Sequence, residues 1–113
     1  MTHMAVNFIA DIAIIEPKNK RIDAAFAGQF RADVMELKKS GYNKIILNLS
    51  NVDFIDSSGL GVVVFISKMI GKREHLILCH IHPNVLNVLQ LTKMEHALIL
   101  FDTEKMAIQA LQD

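Results

Sequence analysis

Asn48-Leu49-Ser50-Asn51-Val52-Asp53-Phe54-Ile55-Asp56-Ser57-Ser58-Gly59-Leu60-Gly61-Val62 joins two different hydrophobic patterns. Ahead of its turn, Ile45-Ile46-Leu47-Asn48-Leu49 is nearly continuous in apolar residues, as a strand covered on both faces would be. Beyond it, Leu60 to Ile70 is apolar almost all round, which suits a central helix packed on more than one side. Two hydroxyls and two glycines open that helix. A glycine in a helix costs about 1 kcal/mol relative to alanine, so two in the first turns need a reason. Close backbone approach by another chain is one reason, and tight packing of helix on sheet is another. A helix N-terminus also offers free amide hydrogens and a positive dipole end, where a serine could carry a phosphate. A plain Ser or Asp N-cap accounts for the same residues without any ligand.

Outward from this segment the chain alternates short apolar runs with amphipathic ones. Ile12-Ala13-Ile14-Ile15 reads as a strand stopped at Pro17, the one convincing strand before Asp23. Asp23 can cap the next helix, in which Phe26, Phe30, Val34 and Leu37 recur on one face. Lys38 and Lys39 complement its dipole, and Gly41 lies just past its end. Lys68, Gly71, Lys72 and Arg73 close the helix that begins near Ser58. Leu76 to Cys79 and Leu98 to Phe101 read as strands. Pro83 suits the first position of a helix that turns Val85, Val88 and Leu89 inward. Asp102 and Thr103 compete to cap a last helix that buries Ala107, Ala110 and Leu111. The pattern predicts an α/β fold: one small, mostly parallel sheet of four to five strands. Helices are expected near residues 24–39, 58–72, 83–92 and 103–111, with Ile46, Leu47, Val63, Leu78 and Leu100 in the core.

Length and charge narrow the function. The 113 residues suit a single domain over 1–113, large enough for a core without disulfides or metal. Twelve basic residues balance twelve acidic ones, which argues against a nucleic-acid partner. The longest apolar run, Val62 to Ile66, is far short of the ~20 residues of a bilayer crossing, and Met1 to Asp11 lacks a signal-peptide core. Cys79 is the lone cysteine, so no intramolecular disulfide forms, and a reducing, cytoplasmic setting is expected.

The segment from Asn48 to Val62 resembles the signature of STAS domains, and specifically that of bacterial anti-sigma factor antagonists. Arg21-Ile22-Asp23-Ala24 matches an upstream motif of the same family, and the likeness covers most of the chain. Where relatives usually carry a glycine before that motif, Asn19-Lys20-Arg21 stand here. The resemblance implies a STAS-type fold and a non-enzymatic module that docks on a GHKL-type anti-sigma factor serine kinase. It implies that the serine directly after the aspartate, Ser57, takes the phosphate, with Ser58 the second choice. A serine phosphatase would reverse the modification. Asp23, Asp56, Ser57, Ser58, Gly59, Leu60 and Gly61 would form the partner-binding surface. Spacing adds a preference for Ser57, because the residue nearest the strand end is the expected cap, with a non-helical backbone. A STAS accessory subunit of a lipid-transport ATPase or of a second-messenger output pathway is the alternative.

Other chemistry finds less support. Cys79 sits inside a strand run, where a thiol acts as a small hydrophobe. His80 and His82 alternate along the expected strand, with His75 nearby, but no further ligand follows at metal-site spacing. Gly71-Lys72-Arg73 lacks the Ser/Thr and upstream glycine of a phosphate-binding loop, and Ser57 lies in no Gly-x-Ser-x-Gly elbow. Asp53 and Asp56 are a carboxylate pair only in sequence, equally explained by a cap and a solvated turn. No cofactor, metal or small-molecule ligand is implied.

Overall fold

The computed structural model describes residues 3–70 and 76–112. Gly71, Lys72, Arg73 and His75, on which the sequence places a helix end and a candidate ligand, lie outside the described residues. The elements run β1 (Met4–Ile9), β2 (Ile12–Pro17), β3 (Arg21–Ile22), α1 (Ala24–Lys39), β4 (Lys44–Asn48) and β5 (Phe54–Ile55). They continue with α2 (Ser57–Ile70), β6 (Leu76–Cys79), α3 (Pro83–Leu91), a 3-10 turn (Met94–Ala97), β7 (Ile99–Leu100) and α4 (Glu104–Gln112). Among the described residues, five strands form one sheet in the order β1-β2-β4-β6-β7, and β3 pairs with β5 in a separate small ribbon. Only β1 runs antiparallel, so the sheet is mixed and mostly parallel.

The continuous apolar runs arise because this sheet is covered on both faces. Ala13, Ile15, Ile45, Leu47, Leu76 and Leu78 point to the side that α1, α2 and α3 cover. Ile12, Ile14, Ile46, Ile77 and Cys79 point to the other side, under Ala107 and Leu111 of α4. Ile46, Leu47, Val63 and Leu78 are in the core as the periodicity predicts. Leu100 is only half buried, because β7 is a two-residue edge strand with one neighbour, and Leu98 is the buried residue there. Ala110 is exposed, since the α4 stripe that meets the sheet is narrow and is filled by Ala107 and Leu111.

β1, like the two-residue strands β3 and β5, has no counterpart among the strands expected from the sequence. It pairs along its whole length with β2, from Met4 opposite Pro17 to Ile9 opposite Ile12. The tight connection carries Ala10 at φ 53° instead of the glycine or asparagine that marks such turns in sequence. α1 follows its pattern closely. The Asp23 carboxylate accepts from the Phe26 amide at 3.2 Å. At the other end the amides of Gly41 (φ 97°) and Tyr42 donate to the carbonyls of Lys38 and Leu37, a Schellman closure. Lys38 reaches across to donate to the Met69 carbonyl near the end of α2 at 3.1 Å. α2 differs from expectation. It buries one face, Gly59, Leu60, Val63, Ile66 and Ile70, and leaves Gly61 and Phe65 exposed, because α1 and the sheet cover it from one side only.

Candidate functional site

The β3–β5 ribbon brings the two halves of the site together. Arg21 lies opposite Phe54 and Ile22 opposite Ile55, so the starts of α1 and α2 come side by side although 33 positions separate Asp23 from Asp56. Ile22 and Ile55 are buried and anchor the ribbon, while Arg21 and Phe54 face solvent. The Ile22 carbonyl accepts from the Asp56 amide at 3.3 Å.

Asp56 ties the two helix starts. Its Oδ1 accepts from the Gly59 amide at 2.9 Å, capping α2, and its Oδ2 accepts from the Ala24 amide at 3.0 Å, at the start of α1. The Gly59 amide is the main influence that holds the Asp56 carboxyl below the usual carboxylate range, with the Ala24 and Ser58 amides and the Arg21 charge adding to it against the cost of burial. Asp56 is therefore ionised at neutral pH. The cap is Asp56, not Ser57; Ser57 is the first residue of the helix because the preceding carboxylate reaches the free amides first. Of the carboxylate pair in the sequence, Asp53 stays exposed in the turn.

Ser57 and Ser58 are both exposed on the first turn of α2, and Gly61 is exposed one turn further on. Gly59 and Leu60, also expected on the partner-binding surface, are buried. A Cβ on Gly59 would fall on the Ile22 carbonyl oxygen, which explains the first of the two glycines as close approach of this chain's own backbone. A Cβ on Gly61 would meet open space, so packing does not require the second. Asp23 is half buried, engaged by the Phe26 amide and by Arg21 Nε at 3.3 Å.

Two cation–ring pairs lie on the surface, and the sequence pattern gives neither of them a role. The Arg21 guanidinium lies 3.8 Å from the centre of the Phe54 ring, and the Arg31 guanidinium lies 4.1 Å from that of Phe65. Phe54 is 37% exposed and Phe65 39%. No spacing rule links residues 21 and 54; only the ribbon does. Beside Arg21 an open cleft of about 580 Å3 is lined by His3, Asn19, Lys20, Arg21, Phe26 and Gln29, among others.

The remaining candidates are occupied structurally. Cys79 is fully buried, and burial, with smaller contributions from Glu104 and Glu16, pushes its thiol up to about 12. His80 and His82 do not alternate on a strand, because β6 ends at Cys79 and His80 turns the chain at φ 53°. His80 Nε2 accepts from the Glu104 amide at 3.1 Å, and His82 Nδ1 from the Asn84 amide at 3.0 Å, at the starts of α4 and α3. Thr103 rather than Asp102 caps α4, through its hydroxyl oxygen and the Met106 amide at 3.2 Å. Among the described residues no helix is long and apolar enough to cross a membrane.

Comparison with known proteins agrees with this geometry. A family model for the STAS domain matches residues 3–107. The TM1081 homolog of Thermotoga neapolitana, classed by its name with the anti-sigma factor antagonists, is 35% identical over 107 residues, 92% of this chain and 93% of that one. The crystal structure of TM1081 from Thermotoga maritima superposes with a TM-score of 0.89 at 31% identity, covering 97% of this chain and 95% of that one. The anti-sigma factor antagonist SpoIIAA in its unphosphorylated form shares the fold, with a TM-score of 0.70 at 23% identity over 96% of this chain and 97% of that one. With its ribbon, its paired helix starts and these relatives, the chain belongs to the STAS domain family, among the anti-sigma factor antagonists.

Proposed function

We propose that this protein is a phosphorylation-switched binding module, a single unit over residues 1–113 acting in the cytoplasm. Unphosphorylated, it docks on a GHKL-type anti-sigma factor kinase through the exposed first turns of α2, and so frees the sigma factor. The kinase moves the γ-phosphoryl group of ATP to Ser57 Oγ, with ADP leaving and the hydroxyl proton passing to a base on the kinase. A serine phosphatase returns the hydroxyl by hydrolysis. The chain itself supplies the acceptor and the surface and performs no catalysis.

The observation that carries this reading is Ser57 exposed at the first position of α2, directly after an ionised Asp56. A phosphate there adds about −1.5 to −2 charges at neutral pH. In a closed interface that charge meets the Asp56 carboxylate and loses its water, so docking weakens while the core is untouched. Ser57, Ser58 and Gly61 form the docking surface with the neighbouring Asp23 and Asp56, and Gly59 and Leu60 seat the helix beneath it. That the structure of SpoIIAA is known in a phosphorylated form as well supports the reading.

Peptide mapping of the protein purified from its own cells, before and after phosphatase treatment, tests it. Phosphate is expected on Ser57, with Ser57→Ala unlabelled and still captured by the kinase, and Ser58→Ala still labelled. Labelling confined to Ser58, or capture of a transport ATPase in place of a kinase, would overturn it.

A further inference from the structure

Arg21 lies on β3, which pairs with β5 directly ahead of Ser57 and α2. The Ile22 carbonyl bonds the Asp56 amide, and Gly59 packs against that same carbonyl. The backbone one residue after Arg21 therefore lies against the first turn of α2. The Arg21 guanidinium rests on Phe54, three residues before Ser57. Its hold is weak. The contact with Asp23 runs through Nε at 3.3 Å, longer than the ~2.7–2.9 Å of a strong charge-assisted hydrogen bond, and the side chain is 57% exposed. Such exposed pairs contribute little and exchange partners readily. A phosphate offers two oxygens to the planar guanidinium and about twice the charge of a carboxylate.

We propose that Arg21 is the phosphate receptor of the modified state: on phosphorylation of Ser57 it leaves Asp23 and the Phe54 ring and pairs with the phosphate. The inference rests on Ser57 being the acceptor. Its consequence is a docking face that changes in shape as well as charge, because Phe54 loses its cover and Asp23 its cation when the phosphate arrives. The charged groups of this junction are Asp23 and Asp56 at the helix starts, Asp53 in the turn ahead of β5, and Lys20 and Arg21 in the segment leading into α1. The depressed ionisation of Asp56, to which Arg21 contributes, agrees with Arg21 acting across this junction.

Phosphoserine built into position 57 during translation tests the inference without any kinase. The second ionisation of that phosphate, followed by phosphorus NMR, should occur at a pH lower by roughly 0.5 unit in the otherwise unaltered protein than in Arg21→Gln. Arg21→Lys should lie between the two, and Lys20→Gln should raise the value by less than Arg21→Gln does. Equal titration of the unaltered protein and Arg21→Gln, or an upward shift from Lys20→Gln as large as that expected for Arg21→Gln, would sink the role of Arg21. Neither result bears on whether cells phosphorylate Ser57, which the peptide mapping decides separately.

Discussion

Asp56 accepts the Gly59 amide with one oxygen and the Ala24 amide with the other, so a single carboxylate joins the starts of α1 and α2. A charged acceptor holds two amides more strongly than a neutral one. Because the folded protein favours the ionised form of Asp56, its contribution to stability is fully present above the unfolded value near 3.8. It is lost as pH falls through the lowered folded value. Asp56→Asn removes the charge and also one of the two acceptors, because its amide nitrogen only donates. Thermal melts should therefore show Asp56→Asn less stable than the parent at pH 7, with the gap narrowing below about pH 3.8 as the charge-dependent part is lost. A gap of the same size at the lowest accessible pH as at pH 7 would mean that the charge of Asp56 is not what stabilises the junction.

The first turn of α2 separates the two glycines by what surrounds them. Gly59→Ala places its methyl group on the backbone of Ile22, which cannot rotate away, so the ribbon or the helix must shift. Such overpacking costs about 1–3 kcal/mol. Gly61→Ala meets nothing within 4 Å and replaces the poorer helix former, so it should raise stability by up to ~1 kcal/mol. Denaturant unfolding of the two variants should move in opposite directions. Equal destabilisation by both would contradict the close packing assigned to Gly59 alone. Gly61→Ala also adds a methyl group to the proposed docking face, so a stabilised variant with weaker kinase capture is the expected combination.

The whole molecule depends on a sheet clothed on both faces, with the larger cluster on the side of α1, α2 and α3. Phe30 sits in that cluster at 1% exposure, stacked on Phe26 with ring centres 5.8 Å apart. Phe30→Ala should cost about 3–5 kcal/mol through lost burial and the cavity left behind. For a chain of this size that lowers the melting temperature by on the order of 10–20 °C. An unchanged melt would place Phe30 outside the core. The serines and Arg21 of the proposed site add little to this stability, since they lie on the exposed surface.

Elements whose signals are local are legible in the chain alone. The α1 stripe from Phe26 to Leu37, the Asp23 cap, Gly41 at the helix end and Pro83 at the start of α3 each depend on neighbours a few residues away. The Asp-Ser-Ser-Gly-Leu-Gly run marked the candidate site for the same reason. Tertiary structure decided the rest. β1 forms because β2 offers it an edge, across a turn that carries no glycine. Ser57 lost the cap position to Asp56, which also reaches the first amide of α1, a partner 32 positions away. α2 reads as apolar all round, yet how much of it is buried depends on how many neighbours the fold places against it. Arg21 joins the serines only because β3 and β5 pair in parallel, and nothing within the range of a helix turn or a hairpin specifies that pairing. Local propensity and periodicity act over a few residues, whereas contacts between distant segments exist only once the chain has closed around its core.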